Sequence, residues 1–489
     1  MNICFLGDLH LPCNTRALQY DVLEWAIEDI RKKTPDCVVF VGDATCNGEE
    51  APFDTFIHAV NRLKLPFLYI PGNSDLRCAE TRNAIKRKAS FCVNRIGDVT
   101  VYAINDCDGT VSSEQLALME RADEESIIFM HHPPQAHDNE SVERLLDWRT
   151  RHPNTMWFYG HLHYFMADNC SVSLPALDPD KSIGEEPSIV YYETRTRELC
   201  KSHYPVSMPN DLPDFFGISC YKPLEQIQFA TERHLKCLEL RPNSVGVERR
   251  ELIAKIAQWR AAGGENLSVH MPDVGYSDGD VTWDAQYEEM LELVSLLKAD
   301  RITQHVPKVS VNTVELGNHV LEDICEALAT RFNRISHGIT IGVENMHMTA
   351  KDTADGTRRF GYTPEECIRF MQLLRECCRH KVGINFDIGH ARNNAPYSKT
   401  YQIGTWFAML GNDIVGYHLH QVIHENGKFE NHMPITRIYG SLISLASFLK
   451  CWEAETINRV PIVFEMRPKD AYEKTFTTFE AFRSAKKEL

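Results

Sequence analysis

Residues 37–48, CVVFVGDATCNG, decide how the first part of this chain is interpreted. The apolar, mostly β-branched run at 38–41 predicts a short buried strand. The strand ends at Gly42, where the backbone is free to turn sharply, and Asp43 follows at its carboxyl end. Ligands and catalytic groups collect at the carboxyl ends of strands in open α/β sheets. Asp43 is therefore the first candidate functional residue.

Four further strand ends in the first 165 residues carry comparable polar motifs. They are GDLH at 7–10, GNSD at 72–75, HHPP at 131–134 and GHLH at 160–163. A set rich in carboxylates and imidazoles suits two transition-metal ions such as Mn, Fe, Co, Ni or Zn. Two such ions clamp a phosphoryl group from both sides and lower the pKa of a bound water. A centrally placed carboxylate, such as that of Asp43, is able to bridge both ions.

Together these motifs resemble the pattern of the calcineurin-like metallophosphoesterases, over about residues 1–193. The resemblance implies a β-sandwich flanked by helices and a dinuclear phosphoesterase in which a bridging hydroxide attacks a phosphodiester or phosphomonoester. By the same resemblance, one metal is held by Asp8, His10, Asp43 and His163, and the other by Asp43, Asn73, His131 and His161. Asp43, Asn73 and His131 are the candidate catalytic residues among them.

One position departs from that pattern. Many family members carry a histidine after the Gly-Asn pair, where it acts near the leaving group, but this chain has Ser74. The departure favours slow turnover or activated diester substrates. Of the histidines nearby in sequence, we assign no role to His132, and we predict that His137 lies on the solvated surface.

The length of 489 residues indicates two to three domains. Residues 195–213 contain three prolines and no hydrophobic period, so we predict a linker there between domains at 1–194 and 214–489. The second domain shows eight predicted strands, near 216–220, 235–240, 267–270, 302–306, 339–345, 382–386, 414–420 and 462–465. Helical patterns, clearest at 284–299, 317–332 and 363–380, alternate with them. This series predicts an α/β fold of the (β/α)8 TIM barrel type.

The barrel also has ligand-type residues after its predicted strands, where barrel active sites lie. Glu344 and Glu465 follow buried β runs, and a buried carboxylate is costly to desolvate unless it is paired or bound to metal. The set resembles the xylose isomerase-like superfamily of sugar isomerases and epimerases. That resemblance implies one divalent metal, such as Mn or Zn, held by Glu344, Asp387, His420 and Glu465. The two glutamates then move a proton next to a carbonyl.

A second chemistry stays open for the barrel. Endonuclease IV, of the same superfamily, adds histidines after strands three and four and an Asp-x-His after strand seven. The matching positions here are His270, His305 and Glu430-Asn431-His432, so a site of two or three metals for phosphoester hydrolysis is an alternative. His390 and Arg467 are further candidates for metal or substrate contact, and Arg467 is equally well explained by an ion pair at the rim.

The composition of the chain restricts its expected partners and cellular compartment. The formal charge of −16 disfavours nonspecific nucleic-acid or anionic-membrane binding. No apolar stretch has the roughly 18 residues of a membrane span, no export signal is recognisable, and the 16 cysteines are predicted to be reduced in a cytoplasmic protein. The main hypothesis is a bifunctional enzyme acting on small-molecule phosphoester and sugar-type substrates. A nucleic-acid repair enzyme and a ligand-sensing barrel that regulates the phosphoesterase are the alternatives; the oligomeric state is open.

Overall fold

The structure is a computed structural model that describes residues 1–486 apart from 92, 124, 278, 312–318, 426 and 469. It contains two compact units, formed by residues 1–206 with 437–448 and by residues 207–436 with 449–489. Within the described part of the chain, no helix is both long and apolar enough to cross a membrane.

The first unit contains two β-sheets. One has the strand order β11-β10-β1-β2-β3 and the other β4-β5-β6-β7-β9-β8. The strands are β1 (Asn2–Leu6), β2 (Cys37–Phe40), β3 (Phe67–Tyr69), β4 (Val93–Ile96), β5 (Val99–Ala103), β6 (Ile127–Met130), β7 (Met156–Tyr159), β8 (Met166–Ala167), β9 (Ser171–Ser173), β10 (Ser188–Glu193) and β11 (Glu198–His203). β1, β2 and β3 are parallel, as are β5, β6, β7 and β9, so their carboxyl ends share one edge in each sheet.

A single hydrophobic core joins the facing residues of both sheets, and the rings of Phe5 and Phe158 stack there with centroids 3.8 Å apart. The helices of this unit are Leu18–Lys33, Glu50–Asn61, Arg82–Lys88, Ser113–Met119 and Asn139–Arg151. Trp148, from the last of them, lies in a second core with Trp157 of β7. The expected β-sandwich flanked by helices is confirmed.

The segment proposed as a linker, 195–213, is not uniformly irregular. Its residues Glu198–His203 form β11, which pairs antiparallel with β10 along its full length. Sequence periodicity gave no sign of this strand because an edge strand needs few apolar residues when its neighbour supplies the hydrogen bonds.

The second unit is a closed barrel of eight parallel strands, which confirms the predicted TIM barrel. The barrel strands are β12 (Phe216–Cys220), β13 (Cys237–Leu240), β14 (Asn266–His270), β17 (Arg301–His305), β19 (Thr340–Glu344), β21 (Lys381–Asp387), β22 (Ile414–Leu419) and β25 (Ile462–Phe464). Outside the barrel are β15 (Val274–Ser277), β16 (Asp280–Trp283), β18 (Lys308–Ser310) and β20 (Thr357–Arg359), which form one sheet, and the hairpin of β23 (Gln421–Glu425) and β24 (Lys428–Met433).

Helices alternate with the barrel strands as the sequence predicts. They are Pro223–Glu232, Arg249–Ala261, Tyr287–Leu296, His319–Phe332, Ala350–Ala354, Pro364–Cys377, Ile388–Arg392, Ile403–Leu410, Ala446–Glu453 and Ala471–Ala485. The helix predicted at 317–332 is observed from His319, because 317 and 318 lie outside the described residues. Thr363 caps the helix Pro364–Cys377 by accepting a hydrogen bond from the amide of Glu366.

Residues 437–448 follow β24 in the sequence, yet they are part of the first unit. The amide of Gly184 donates to the carbonyl of Tyr439 at 2.9 Å. The hydroxyls of Ser182 and Ser444 lie 3.0 Å apart, both buried. These contacts brace the stretch just after Asp178, whose carboxylate belongs to the candidate site described next. The first unit is therefore completed by a segment from far along the chain, which sequence patterns did not indicate.

Candidate metal sites of the two units

The carboxyl ends of five strands build the candidate site of the first unit. Asp8 and His10 follow β1, Asp43 follows β2, Asn73 follows β3, His131 follows β6, and His161 and His163 follow β7. Several of these residues have the left-handed backbone that non-glycine residues adopt at a cost of about 1 kcal/mol or more. They are Asp8, His10, Asp43, His161 and His163, with φ of 52°, 49°, 57°, 68° and 62°. Strained turns are thus concentrated at one edge, as is typical of functional sites.

Asp43 lies at the centre of this site. Its Oδ2 is 3.1 Å from Nε2 of His10 and 3.5 Å from Nε2 of His131. Asn73 Oδ1 is 3.2 Å from Nε2 of His131 and 3.1 Å from Nδ1 of His161. Nε2 of His163 is 3.6 Å from Oδ1 of Asp8. The structure therefore brings together every residue that the sequence analysis proposed for this site.

The donor set fits divalent cations. Nδ1 of His131 lies 2.8 Å from the carbonyl of Val41, an acceptor that requires the proton on that nitrogen. In the neutral ring, Nε2 then presents a lone pair toward the oxygens of Asn73 and Asp43. A cation bound between this nitrogen and the two oxygens would interact with the lone pairs of all three atoms. Without a cation, these lone pairs face one another. The calcineurin-like ligand set is thus chemically consistent with this geometry.

The charges of the site support the same conclusion. Burial by itself would raise the pKa of Asp43, but the positive field of His131 and hydrogen bonding from His10 hold it well below its usual value. Burial also opposes charge on His131, yet the carboxylate of Asp43 raises the pKa of this imidazole to about 10, so the ring has to release its Nε2 proton when a cation binds. Burial lowers the pKa of His10 and that of His161 to about 4, which favours the neutral imidazole that binds metal.

Ser74 contacts the central carboxylate. Its amide donates to Asp43 Oδ1 at 2.7 Å, and its hydroxyl donates to Oδ2 at 3.0 Å. The side chain is 1% exposed. The serine that replaces the common histidine therefore orients Asp43 and has no open surface from which to reach a leaving group.

Two buried carboxylates behind the site were missed by the sequence analysis. Asp178 Oδ2 is 3.4 Å from Nδ1 of His10, and Gln19 donates to Asp178 Oδ1 at 3.0 Å. Asp106 accepts the amide of His131 at 3.1 Å and that of His132 at 2.7 Å. Carboxylates that orient ligand histidines are typical of metal sites. Asp106 comes three residues after the end of β5, so its strand-end position could have indicated it, whereas Asp178 follows no strand as closely.

The prediction that His137 lies on the solvated surface is wrong. It is 8% exposed, and its Nδ1 lies 3.1 Å from the carbonyls of Pro133 and Pro134. Its Nε2 is 3.3 Å from Asp106 Oδ2. The short 3-10 turn Pro134–Ala136 folds the ring back over the preceding prolines, a geometry that local polarity does not reveal.

The candidate site of the barrel lies at the carboxyl ends of its strands and has two adjoining groups that share Glu344. In the first, Glu344 Oε2 is 3.4 Å from Nε2 of His270, and Oε1 is 3.7 Å from Nε2 of His305. In the second, Nδ1 of His418 is 3.3 Å from Glu344 Oε2, 3.8 Å from Asp387 Oδ2 and 2.9 Å from Glu465 Oε2.

His418 was missed by the sequence analysis, which named His420, the residue just after the end of β22. The two residues are separated by one position, so the period of two expected of a strand does not distinguish them. Nε2 of His420 lies 3.1 Å from Asp387 Oδ1, whereas His418 faces Glu344, Asp387 and Glu465 together. The assignment of His420 as a metal ligand stays a prediction.

The chemistry of this group also fits a cation. All four ligand-type side chains are at most 2% exposed, and within the described residues His418 Nδ1, Glu344 Oε1 and Glu465 Oε2 have no hydrogen-bond partner. Burial would raise the pKa of Glu344 and of Glu465, but His418 beside the former and Arg241 beside the latter keep both carboxylates ionised. A His418 that binds metal is neutral, so the three clustered carboxylates then need the positive charge of a cation in its place.

The remaining candidates surround this centre. The rings of His420 and His432 lie 4.5 Å apart, and those of His390 and His432 lie 6.1 Å apart. Glu430 is exposed on the hairpin, while His432 is buried. His347, which no sequence signal singled out, has its ring 4.7 Å from that of His390.

A cavity of about 950 Å³ lies beside these residues. His347, Lys428, Glu430, His432 and Arg467 are among its lining residues. Arg467 thus lines the cavity, and its contact with a substrate or with an ion-pair partner at the rim stays a prediction. The Tyr221 hydroxyl donates to Glu465 Oε1 at 2.7 Å, and Arg241 Nη1 lies 3.0 Å from the same oxygen.

Comparisons with known proteins follow the division into two units. Residues 1–165 match the family model of calcineurin-like phosphoesterases, and residues 236–482 match that of xylose isomerase-like TIM barrels. A probable cyclic nucleotide phosphodiesterase of Fibrobacter succinogenes is 32% identical over 142 residues, 26% of this chain and 56% of the relative. A probable glycerophosphodiester phosphodiesterase of Arcobacter nitrofigilis is 30% identical over 120 residues, 21% of this chain and 44% of the relative. The chain thus spans about half the length of these relatives.

Among solved structures, a putative xylose isomerase from Rhodospirillum rubrum is similar to the chain with a TM-score of 0.44 and 14% identity. The match covers 55% of this chain and 98% of that one.

Proposed function

Because the chain belongs to the xylose isomerase-like TIM barrel family and begins with a calcineurin-like phosphoesterase domain, we propose that it hydrolyses phosphodiesters in its first unit and has a second metal-dependent activity in its barrel. The observation that carries the first proposal is the central position of Asp43, whose Oδ2 lies 3.1 Å from Nε2 of His10 and 3.5 Å from Nε2 of His131.

In the first unit, two divalent transition metals would be held by Asp8, His10, Asp43 and His163 and by Asp43, Asn73, His131 and His161. When bound, such ions neutralise phosphoryl charge and lower the pKa of a coordinated water. The protein's own residues position this chemistry. Asp178 lies 3.4 Å from Nδ1 of His10, Asp106 accepts the amide of His131, and Ser74 donates to both oxygens of Asp43.

A diester is the preferred substrate class for two reasons. The relatives named above are described as probable phosphodiesterases. In addition, Ser74 hydrogen-bonds Asp43, so no histidine acid stands at that position and good leaving groups are favoured. These points support small phosphodiesters over monoesters, while the natural substrate stays open.

The test uses the full chain. Metal is removed with a chelator, Mn²⁺ is restored, and hydrolysis of bis(4-nitrophenyl) phosphate is compared with that of 4-nitrophenyl phosphate. We expect activity that depends on the added metal and is higher on the diester. Metal-independent hydrolysis, or none with any of the ions Mn, Fe, Co, Ni and Zn, would contradict the proposal.

For the barrel we propose polynuclear metal chemistry on a phosphoester, because Glu344 is shared by two groups of ligand-type residues. The second candidate is isomerisation or epimerisation of a sugar at one metal. It is supported by the positions of Glu344 and Glu465, which both lie beside His418. The two glutamates would be the groups that carry the proton. Anomalous scattering from crystals grown with Mn²⁺ or Zn²⁺ gives the number of metal ions in the barrel, and this number distinguishes the two candidate functions. Two or more metals support hydrolysis, and one metal supports proton transfer.

If the barrel stays without metal under saturating conditions, both enzymatic proposals for it are contradicted. The ligand-sensing role would then be the one to pursue, by screening sugars and nucleotides for binding.

A further inference from the structure

Glu239, at the end of strand β13, is completely buried and was not among the candidates from the sequence. We propose that Glu239 is a positioning residue of the barrel site: it fixes the tautomer and orientation of His418, so that Nδ1 of this ring is directed into the group formed by Glu344, Asp387 and Glu465. The inference rests on the proposed function of the barrel as a metal site and adds a residue outside the ligand set.

The first step is the contact between the two side chains. Nε2 of His418 lies 3.0 Å from Oε1 and 3.2 Å from Oε2 of Glu239. A carboxylate only accepts hydrogen bonds, and Nε2 faces both oxygens of Glu239 at hydrogen-bonding distance. Nε2 must therefore carry a proton. The other nitrogen, Nδ1, is the one left to bind a metal.

The second step is that Glu239 is itself held rigidly. Ser268 Oγ donates to Oε2 at 3.0 Å, and Thr303 Oγ1 donates to the same oxygen at 2.8 Å. Arg301 lies 3.9 Å from Oε2 and supplies a positive charge in the barrel interior. Two hydroxyls and one cation thus keep the carboxylate in one orientation.

The guanidinium of Arg301 is buried in the barrel interior, beside residues of strand β22. Its Nη1 donates to the carbonyl of Val415 at 3.1 Å, and its Nε donates to Ser268 Oγ at 3.3 Å. A Cβ atom at Gly416 would lie 1.3 Å from Nη1 of Arg301, so only glycine leaves room for the guanidinium. Four barrel strands, β13, β14, β17 and β22, therefore contribute to one buried network behind His418.

Glu239 acts through His418 and not as a ligand of the same centre. Its oxygens contact the nitrogen on the opposite side of the imidazole from Glu344, Asp387 and Glu465. Carboxylates that hold the second nitrogen of a ligand histidine typically contribute 10- to 100-fold to metal affinity. That range is the effect expected here.

The test compares Glu239→Gln and Glu239→Leu with the wild-type full chain. The glutamine variant keeps an acceptor oxygen for Nε2, whereas the leucine variant removes it. Glu289→Leu is the matched control, because Glu289 is exposed on the helix Tyr287–Leu296. Crystals are equilibrated with graded Co²⁺ concentrations, and anomalous scattering gives the occupancy of the barrel site. The visible ligand-field spectrum of Co²⁺ and the melting temperature are recorded in solution.

We expect the barrel site of Glu239→Leu to need about 10- to 100-fold more Co²⁺ for half occupancy, with an altered spectrum. Glu239→Gln should recover part of the affinity, and Glu289→Leu should match the wild type. Wild-type affinity and spectrum in both Glu239 variants would overturn the inference, even if their melting temperatures fall. If Glu239→Leu does not fold, only Glu239→Gln is compared with the wild type. An unchanged Co²⁺ affinity of the barrel site in that variant then overturns the inference. A wild-type barrel without Co²⁺ would instead overturn the proposed function.

Discussion

Replacement of Asp43 by asparagine is the sharpest perturbation of the first unit, because it preserves shape and removes one charge. Oδ1 accepts the amide of Ser74 at 2.7 Å, and Oδ2 accepts its hydroxyl at 3.0 Å. Oδ2 also faces His10 and His131. An asparagine keeps one acceptor and turns the other into a donor, so one of these interactions is lost along with the charge between the two metal positions.

The size of the effect follows from these contacts. The lost hydrogen bond to a charged group contributes about 1.5–3 kcal/mol. The loss of the negative charge between the two metal positions adds to this, and together the two losses exceed the roughly 2.7 kcal/mol that corresponds to a 100-fold rate change. We therefore expect Asp43→Asn to hydrolyse bis(4-nitrophenyl) phosphate at least about 100-fold more slowly than the wild type at saturating Mn²⁺.

Asp54→Asn is the matched control, since Asp54 lies exposed on the helix Glu50–Asn61 and should retain the wild-type rate. Metal content of each protein is measured by inductively coupled plasma mass spectrometry after gel filtration. If Asp43→Asn keeps the wild-type rate and metal content, the dinuclear assignment is refuted.

Three further outcomes are expected. Glu344→Gln should lower the metal content of the barrel while phosphodiester hydrolysis continues, because Glu344 contacts both ligand groups there; unchanged metal content would contradict the shared role. Phe158→Ala should reduce the free energy of unfolding of the first unit by about 3–5 kcal/mol in urea denaturation, since Phe158 is fully buried and stacked on Phe5, and a loss below about 1 kcal/mol would exclude this core contact. Duplex DNA should bind no more tightly than the nonspecific range of about 10⁻⁴–10⁻⁶ M at physiological salt, because the formal charge is −16; cleavage at abasic sites would favour the repair hypothesis.

Strand ends were the part of the site that local sequence predicted well. Asp43, Asn73 and His131 each follow a short apolar run, and the end of a buried strand is marked by the same residues that start the next turn. Parallel strands then bring these ends to one edge, so residues far apart in sequence become neighbours. The barrel was predictable for a similar reason, because alternating strand and helix patterns over this length fit few other folds.

The sequence by itself determined the eight barrel strands and the strands that carry the motifs of the first unit, that two α/β units are present, and which polar residues stand at the strand ends, since these features depend on local periodicity and motif order. Only the tertiary structure decided which buried residues contact the histidines at those strand ends. Asp178, Asp106 and Glu239 reach their histidines across the fold, and segment 437–448 joins the first unit from far along the chain. The choice between His418 and His420 also needed the fold. A strand period of two does not distinguish residues 418 and 420, and the carboxylates that His418 faces come from three other strand ends.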